Sequence, residues 1–571
     1  METRPPRAAP PLGRAQAAPL RARGLALSAA AAALVAAALS GTNCKRRTAS
    51  IEPPRDLDAG PAASGAPAIS ATPPGPTAVS AAEPGGRLEY EVRDAATSAL
   101  IPARLTLLGA AGTPDPALAP GDSPRQEGRA IAAFNRVMSL SGQGSVEVPR
   151  GTYDVYVSRG PEWDISITRG VTIGPHGAAV RASIGHAVDT RGWLSGDFHV
   201  HADASYDSRV PMSARVYEFA AEGVDMIVST DHNVVTDYAP LIAELGAGAY
   251  LTSATGDEIT TPSSGHFGAF PLRITGEPPG HGAIAVGERT PKAILRSVRA
   301  TAPDALIDVH HPRFPRGMGY FTEGGLDAGA DRAASQGFSF DFDAVEILNG
   351  YQDADRASVE PVLQDWFGLL SNGHIVAATG NSDTHYLDHT MAGYPRNYVR
   401  LQDDSPAAAR PADVVRSVKG LHAFFTTGPF VRLTVGEATY GDLGPAPGGE
   451  VHGEIAVQAA PWVSVSTVIL YVNGVEERRL SVPDGTAVAR FRAGFGLSLE
   501  RDAFLVARVE GDRPMAPVVG SSRFRVLPFA LTNPVFLDAD GDVRFTPPRG
   551  GRGAGKRHPA RPVVVVVNQS P

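Results

Sequence analysis

The stretch SGDFHVHADASYDS (195–208) places two histidines one residue apart, directly after a short apolar run. In an extended strand, residues i and i+2 point to the same face, so His199 and His201 share a face. Two interpretations fit this pair: an exposed strand with a polar face, or two imidazoles directed at one metal ion. One pair does not decide between them, so the rest of the chain must supply or lack further ligands.

Further polar residues follow other apolar, strand-like runs. Of the 15 histidines, 10 lie between His199 and His389. Asp231-His232 follows IVST, His310-His311 follows LIDV, and Asp383-Thr384-His385 follows VAATGNS; Glu258 closes SATGDE, and His266 opens the next run. Polar side chains lose solvation free energy in a cleft unless each has a partner. A shared metal site would provide a partner for all of them.

Between 193 and about 430, strand patterns alternate with helical patterns. The strand candidates are 224–230, 249–259, 305–310, 343–348 and 374–383, and the helical candidates are 213–223, 291–301 and 358–373. Alternating β and α elements predict an α/β fold with a parallel sheet, either closed or open. In such folds the carboxyl ends of the strands form the active face, which is where the polar residues fall.

The candidate ligands are imidazoles and carboxylates without a thiolate. This set suits Mn, Fe or Zn in a reactive centre better than a structural zinc site. Eight or nine ligands exceed what one tetrahedral ion needs, so the sequence predicts two or three divalent metal ions. Paired ions are the arrangement that stabilises a hydrolytic transition state.

The ordered series DFHVH, STDHN, GDE, HP and NSDTH resembles the motifs of the polymerase and histidinol phosphatase (PHP) superfamily. The resemblance covers about 193 to 390 and implies a distorted (β/α)7 barrel with two or three metals. Strand patterns before it and PFALTNPVFLDADG (528–541) after it are closer to the CehA/McbA branch, which is named after a carbamate hydrolase.

Position by position, the resemblance implies a set of metal ligands. It also implies that Asp197 and Asp231 orient these ligands without binding a metal themselves. The ligands are His199, His201, Asp207, His232, Glu258, His266, His311, Asp383 and His385. Asp207 stands where many relatives carry another ligand, often histidine, and His311 is preferred over His310 because it precedes a proline.

The expected activity is hydrolysis by a metal-activated water acting on a small-molecule substrate. Arg313 and Arg316 are candidates to hold an anionic group, and Asp207 or His310 to protonate the leaving group. A phosphoesterase is expected first, a carbamate, ester or amide hydrolase second, and a non-catalytic surface-binding protein third. No G-x-S-x-G elbow and no glycine-rich phosphate loop is present, and a net charge of −8 without a basic, aromatic patch gives nucleic-acid binding no support.

The flanks predict export. A 25–39 apolar run behind Arg21 and Arg23 predicts a signal peptide within 1–44. Two types fit: an ordinary signal peptide, or a lipoprotein type with a membrane tether through a lipidated Cys44. The remaining segments are interpreted as a Pro/Ala/Ser-rich linker (45–86), an N-terminal β-sandwich resembling carboxypeptidase regulatory-like domains (87–190), the hydrolase barrel (191–435), a C-terminal β-sandwich (436–545) and a disordered tail (546–571).

Overall fold

The computed structural model describes residues 85–276, 280–352, 356–387, 392–520 and 524–548. The predicted signal peptide, Cys44, nearly all of the linker and most of the tail lie outside the described residues. Among the described residues, strands account for 39% and helices for 14%. No helix within the described ranges is long and apolar enough to cross a membrane.

The N-terminal region consists of two sheets that face each other across one core. Its strands are β1 (Gly86–Asp94), β2 (Ala103–Ala110), β3 (Arg125–Gln126), β4 (Ala130–Ala133), β5 (Arg136–Ser139), β6 (Gln143–Val148), β7 (Gly151–Ser158), β8 (Ser166–Ile173) and β9 (Ala178–Ile184). The sheet orders are β6-β1-β9 and β3-β4-β5-β2-β7-β8. Alternate residues such as Leu88, Tyr90 and Val92 are buried between the sheets. These β-rich sheets are consistent with the predicted β-sandwich.

The middle region carries the polar motifs. Its strands are β10 (Trp193–Val200), β11 (Met226–Ser229), β12 (Thr252–Thr255), β13 (Asp257–Thr260), β14 (His266–Phe270), β15 (Leu306–His310), β16 (Leu326–Asp327), β17 (Arg332–Ala333), β18 (Ala344–Asn349), β19 (Ala377–Asn381), β20 (Arg396–Arg400) and β21 (Ala423–Thr426). Its helices are α1 (Met212–Ala221), α2 (Ala239–Glu244), α3 (Pro291–Thr301), α4 (Tyr320–Gly324), α5 (Arg356–Ser371) and α6 (Pro411–Lys419).

Helix α3 shows how local sequence produces these elements. Thr290 caps it by accepting a hydrogen bond from the backbone N–H of Ala293, and Pro291 occupies the first turn, where a missing N–H costs nothing. Ile294, Leu295 and Val298 lie on one face and are buried. Spacing of three and four residues is what an amphipathic helix requires.

The predicted (β/α)7 barrel is wrong. The middle strands belong to three sheets: β10, β11, β12, β20 and β21 lie in an eleven-stranded sheet, β13, β14, β15, β18 and β19 form a five-stranded one, and β16 and β17 form a two-stranded one. The pairs β10–β11–β12 and β15–β18–β19 are parallel, whereas β13–β14–β15 and β10–β20–β21 are antiparallel. The fold is β-rich, with few helices and many sheets.

For β13 and β14 the physical reason is the length of their connection. A parallel pair needs a crossover of about a dozen residues or more, whereas β13 and β14 are joined by the short turn 261–265 and can only pair antiparallel. Helical patterns do separate several strands, but no helix lies in that turn. Local alternation of β and α was thus extended to a part of the chain where the connections do not permit it.

The eleven-stranded and the five-stranded sheets meet at two places, and the polar motifs lie at both. At one, His232 and Glu258 form a parallel bridge. At the other, Val200 and Thr384 form a second parallel bridge, and the N–H of His201 donates to the carbonyl of Thr384 at 3.2 Å. Residues that are distant in the chain therefore come together at the junction of the sheets.

The C-terminal strands also form two facing layers, but one layer belongs to the eleven-stranded sheet. The strands are β22 (Phe430–Val435), β23 (Ala438–Thr439), β24 (Leu443–Pro445), β25 (Glu450–Gln458), β26 (Thr467–Val472), β27 (Val475–Ser481), β28 (Ala489–Ser498), β29 (Ala503–Glu510), β30 (Phe529–Thr532) and β31 (Val535–Asp538). Strands β23-β22-β25-β28 form a separate sheet, while β30 pairs with β21. Short 3-10 turns lie at Ala328–Ala330, Gly350–Gln352 and Pro447–Gly449.

Candidate metal centre

A single buried carboxylate, Glu258 on β13, lies at the middle of the candidate site. Six imidazoles surround it. Its Oε1 lies 3.1 Å from His199 Nε2, 3.3 Å from His266 Nδ1, 3.0 Å from His310 Nδ1 and 3.2 Å from His311 Nε2, and its Oε2 lies 2.7 Å from His232 Nδ1 and 3.5 Å from His201 Nε2. All of these side chains are buried.

Asp383 is the second carboxylate of the cluster and follows β19. Its Oδ1 lies 3.2 Å from the Nε2 atoms of both His199 and His201, and 3.4 Å from His385 Nδ1. Its φ angle is 52°, in the left-handed region that an aspartate adopts only when its surroundings hold it there. His311, with φ 28°, is also in this region. Two strained backbones in one cluster indicate that side-chain placement outweighs local conformational preference.

Asp207 is the most exposed acid of the cluster. Its side chain is 36% exposed, with Oδ2 at 3.1 Å from His232 Nε2 and Oδ1 at 3.3 Å from His385 Nε2. With His201, these residues form a four-member group whose ligand atoms lie within 4.8 Å of one another. The predicted ligand set is therefore brought together as a whole: His199, His201, Asp207, His232, Glu258, His266, His311, Asp383 and His385.

The arrangement fits divalent ions. Several of the buried atoms lack a hydrogen-bond partner within the described residues: His199 Nε2, His201 Nε2, His266 Nδ1, His311 Nδ1 and Glu258 Oε2. Some lie close to carboxylate oxygens yet are not aligned to donate to them. Two ligand atoms, each about 2.0–2.2 Å from the same ion, lie about 3 Å apart, which is the spacing found here. Buried clusters of His, Asp and Glu that could hold a metal ion are thus present.

His310 lies in the cluster beside His311. Its ring stacks on that of His199 at 3.6 Å, and its Nδ1 lies 3.0 Å from Glu258 Oε1. Gly268 makes this position possible, because a β-carbon there would lie 2.3 Å from His310 Nε2. His310 and His311 therefore both contact the central carboxylate.

Glu346, on β18, supports the cluster from behind and was not anticipated from the sequence. It is fully buried and accepts four hydrogen bonds. The donors are His199 Nδ1 at 3.1 Å, the backbone N–H of His311 at 2.7 Å, Asn349 Nδ2 at 3.0 Å and Asn381 Nδ2 at 2.9 Å. A carboxylate on the far nitrogen of a ligating imidazole fixes its tautomer and orientation.

Of the two aspartates predicted to orient ligands, Asp197 contacts backbone N–H groups beside the ligands and Asp231 contacts a ligand through a serine side chain. Asp197 accepts from the N–H groups of His199 at 3.3 Å and Ser382 at 3.1 Å. Asp231 accepts from Ser205 Oγ at 3.2 Å, and Ser205 Oγ lies 2.9 Å from His201 Nδ1. Asp231 thus acts on His201 through Ser205 rather than directly on His232.

Arg215, on α1, is a second residue that the sequence did not reveal. Its buried guanidinium donates to the backbone carbonyls of His201 at 2.8 Å and Thr384 at 3.0 Å, and its charge is balanced by Glu218 at 2.6 Å. It therefore joins the two segments that carry His201 and Asp383.

The electrostatics of the cluster are those of a cation-binding site. Burial raises the pKa of Glu258 and Asp383, but the surrounding imidazoles outweigh it and hold each pKa well below its usual range. Burial lowers the pKa of His232, but Glu258 and Asp207 outweigh it and raise that pKa to about 10. Burial also lowers the pKa of His199, but the nearby carboxylates, that of Asp383 foremost, outweigh it and hold this pKa well above its usual value. Protons on these rings neutralise the buried carboxylates, a role that a divalent ion can take over.

Neither predicted arginine is brought into the cluster. Arg313 pairs with Asp365 through Nε at 2.6 Å and Nη2 at 2.8 Å, and its other donors reach the carbonyls of Phe321 and Leu326. Its role is to brace the loop after His311. Arg316 is exposed and does not line the cavity at the cluster.

A cavity of about 240 Å³ opens onto the cluster. Its wall consists of cluster residues together with aromatic and thioether side chains. The lining residues are Tyr206, Asp207, His232, Glu258, His266, His311, Phe314, Met318, Tyr351, Asp383, His385 and Tyr386. Among these described residues none is Lys or Arg. Tyr206 stacks on His232 at 4.7 Å and Phe314 stacks on His311 at 4.9 Å, so aromatic rings frame the cavity mouth.

Comparisons with known proteins identify no relative. No family model and no curated protein matches the chain. Among solved structures, an engineered protein solved at 1.98 Å is similar over 57% of this chain at 11% identity, with a TM-score of 0.14. The matched region spans about half of that protein, 51% of its length.

Proposed function

We propose that this protein is a metal-dependent hydrolase whose centre is the cluster around Glu258 and Asp383. The observation that carries the proposal is the convergence of buried imidazole and carboxylate atoms at an open cavity, several of them without a hydrogen-bond partner among the residues that the structure describes. When bound, two or three divalent ions at such a centre supply the Lewis acidity that activates a water and polarises the electrophile. Family membership remains a prediction from the ordered motifs.

The chain's own residues divide into two groups for this activity. His199, His201, His266, His311 and Asp383 are positioned to hold ions, with Glu258 shared between them. Asp207 lies nearer the solvent and accepts from His232 and His385. Burial raises its pKa, but these hydrogen bonds outweigh it and hold the pKa below its usual range, so the carboxylate is ionised and acts as an acceptor or ligand.

The cavity wall favours an uncharged substrate over a phosphomonoester. A site for a phosphomonoester is expected to show cationic side chains around the metals, because Arg and Lys pair with phosphate oxygens. The described lining has aromatic rings and Met318 instead. We therefore infer that an ester, carbamate or amide bond is hydrolysed, which was the second expectation from the sequence.

The test is a substrate panel on the purified protein, reconstituted separately with Mn²⁺, Fe²⁺ and Zn²⁺. Neutral carboxylic esters, carbamates and amides are compared with phosphomonoesters and phosphodiesters at equal concentration. We expect turnover of the neutral class, abolished by chelation and by Asp383→Ala. Turnover of phosphomonoesters alone would contradict the substrate class, and metal binding without any turnover would favour the non-catalytic alternative.

A further inference from the structure

A second cavity, of about 640 Å³, lies beside the cavity at the cluster and shares part of its wall. We call it the sandwich groove. Its lining residues are Pro120, Gly121, Asp122, Phe134, Tyr206, Asp207, Arg209, Val210, Tyr386 and Leu387. Tyr206, Asp207 and Tyr386 line both cavities. One wall comes from the N-terminal sandwich, through the β2–β3 loop and the turn between β4 and β5.

The sandwich wall is held in place by its backbone. Phe134, at the turn between β4 and β5, has a φ of 50°, which is unfavourable for a bulky residue. Its N–H donates to the carbonyl of Ala119 at 2.8 Å, and its carbonyl accepts from Leu118 at 2.7 Å. A β-carbon at Gly121 would lie 2.6 Å from the Phe134 ring, so a glycine lets the loop lie against that ring. Strain of this kind persists where the surroundings determine the conformation.

The same hairpin is tied to the cluster. Arg136, on β5 and 5% exposed, donates to the carbonyl of Leu387 at 3.1 Å and to that of Gly520 at 2.9 Å. Leu387 lies two residues after the candidate ligand His385. The groove wall and the cluster are therefore held in a fixed relation.

We propose that the N-terminal sandwich completes the substrate site, and that the sandwich groove holds an uncharged apolar arm of the substrate while the scissile bond lies at the cluster. The proposal rests on the proposed function and names the substrate class further: an ester, carbamate or amide with a bulky alkyl or aryl arm. The volume is that of a site for a small organic molecule. Apolar surface in the groove comes from Phe134, Val210, Leu387, Tyr206 and Tyr386. The charged lining residues are two acids, Asp122 and Asp207, and one base, Arg209, which disfavours an anionic arm.

The test compares ester hydrolysis by the metal-reconstituted protein and by its Phe134→Ala variant. Hydrolysis is measured as the release of acid. Ethyl acetate has two short arms, ethyl octanoate a long acyl arm and octyl acetate a long alkoxy arm. Removal of the ring contact is expected to raise KM for at least one long ester by about tenfold, because the loss of one buried aromatic contact weakens binding by about that factor. kcat/KM for ethyl acetate should stay within about twofold, since the cluster is untouched.

Two further variants separate the groove from general effects on folding. Ile167→Ala removes an apolar side chain that is 42% exposed on β8 of the same sandwich, outside the groove, and should leave all three esters unchanged. Asp122→Trp, at an exposed position on the groove rim, should obstruct the long esters selectively. If neither Phe134→Ala nor Asp122→Trp discriminates long from short esters, the proposal is overturned.

A binding measurement keeps the groove testable when no ester is hydrolysed. Titration calorimetry with 1-octanol on the metal-free protein should show binding that weakens about tenfold in Phe134→Ala and is unchanged in Ile167→Ala. Octanol binding with this pattern but without ester turnover would support the groove as a binding site and contradict the proposed hydrolysis. Absence of binding, or equal binding by both variants, contradicts the groove itself.

Discussion

Replacing Glu346 by Gln tests whether the cluster is a metal centre with a supporting layer. The substitution keeps the shape of the side chain but removes its charge. Glu346 accepts from four donors, so an amide must direct its NH2 group at one of them and leave a buried donor unpaired. His199 also loses the carboxylate on its Nδ1, which lies 3.1 Å away and is fully buried.

The magnitude follows from that contact. A hydrogen bond to a buried charged group contributes about 1.5–3 kcal/mol. Loss of a partner behind a ligating histidine typically weakens metal binding by about 10- to 100-fold. We therefore expect Glu346→Gln to raise the Kd for Zn²⁺ or Mn²⁺ by about 10- to 100-fold, although Glu346 contributes no ligand atom to the four ligand groups of the cluster.

The assay is competition for metal against a chromophoric chelator, with Glu437→Gln, at an exposed glutamate, as the matched control. Circular dichroism melting of the metal-free proteins checks that both variants are folded. A folded Glu346→Gln protein whose Kd for both ions stays within about twofold of wild type would refute the supporting role and weaken the metal interpretation of the cluster.

Three further predictions follow from individual contacts. Gly268→Ala places a β-carbon 2.3 Å from His310 Nε2, so the ring must leave its stack on His199; we expect a loss of about 1–3 kcal/mol in unfolding free energy together with weaker metal binding, measured by urea titration and chelator competition. Chelation should lower Tm and re-addition of metal should restore it, with about 4 kcal/mol of stabilisation at a thousandfold excess over Kd; an unchanged Tm would count against a structural ion. Burial, with the nearby charge of Glu162, raises the pKa of Asp225 from 3.8 to about 7. The folded state therefore holds this proton more tightly than the unfolded chain, so the contribution of Asp225 to stability is largest below pH 4 and is lost as the pH rises towards 7. The expected loss is on the order of a few kcal/mol, because a difference of one pKa unit corresponds to about 1.4 kcal/mol. Urea unfolding of Asp225→Asn should lack this fall, and an identical pH profile in both proteins would exclude Asp225 as its source.

The candidate site was largely predictable because its residues follow strand-like runs. His199, Asp231, His311 and Asp383 each stand directly beside a short apolar stretch, and these stretches are strands in the structure. Glu346 was missed although it is the single charge within the apolar run AVEIL (344–348), which is a signal that could have been used. Arg215 was missed for another reason: its partners are carbonyls of other segments, and backbone acceptors leave no trace in a sequence.

The architecture was less predictable. The strands 224–230, 305–310 and 343–348 and the helices 213–223 and 291–301 were expected and are present as β11, β15, β18, α1 and α3. Their assembly was predicted wrongly, because periodicity describes single elements and not the direction in which neighbours pair. The turn at 261–265 and the pairing of β21 with β30, about a hundred residues away in the chain, determine the sheets. Long-range pairing of this kind depends on complementary buried surfaces that a local pattern does not encode.

The central claim is that the cluster binds metal ions. Its most direct test is the metal-to-protein ratio of the purified protein after reconstitution, measured by elemental mass spectrometry. The comparison is with a His199→Ala, Asp383→Ala double variant, which removes two of the buried ligands. The account predicts two or three Mn, Fe or Zn ions per chain in the wild-type protein and their loss in the variant. A ratio near zero in the folded wild-type protein, or an equal ratio in both proteins, would contradict it.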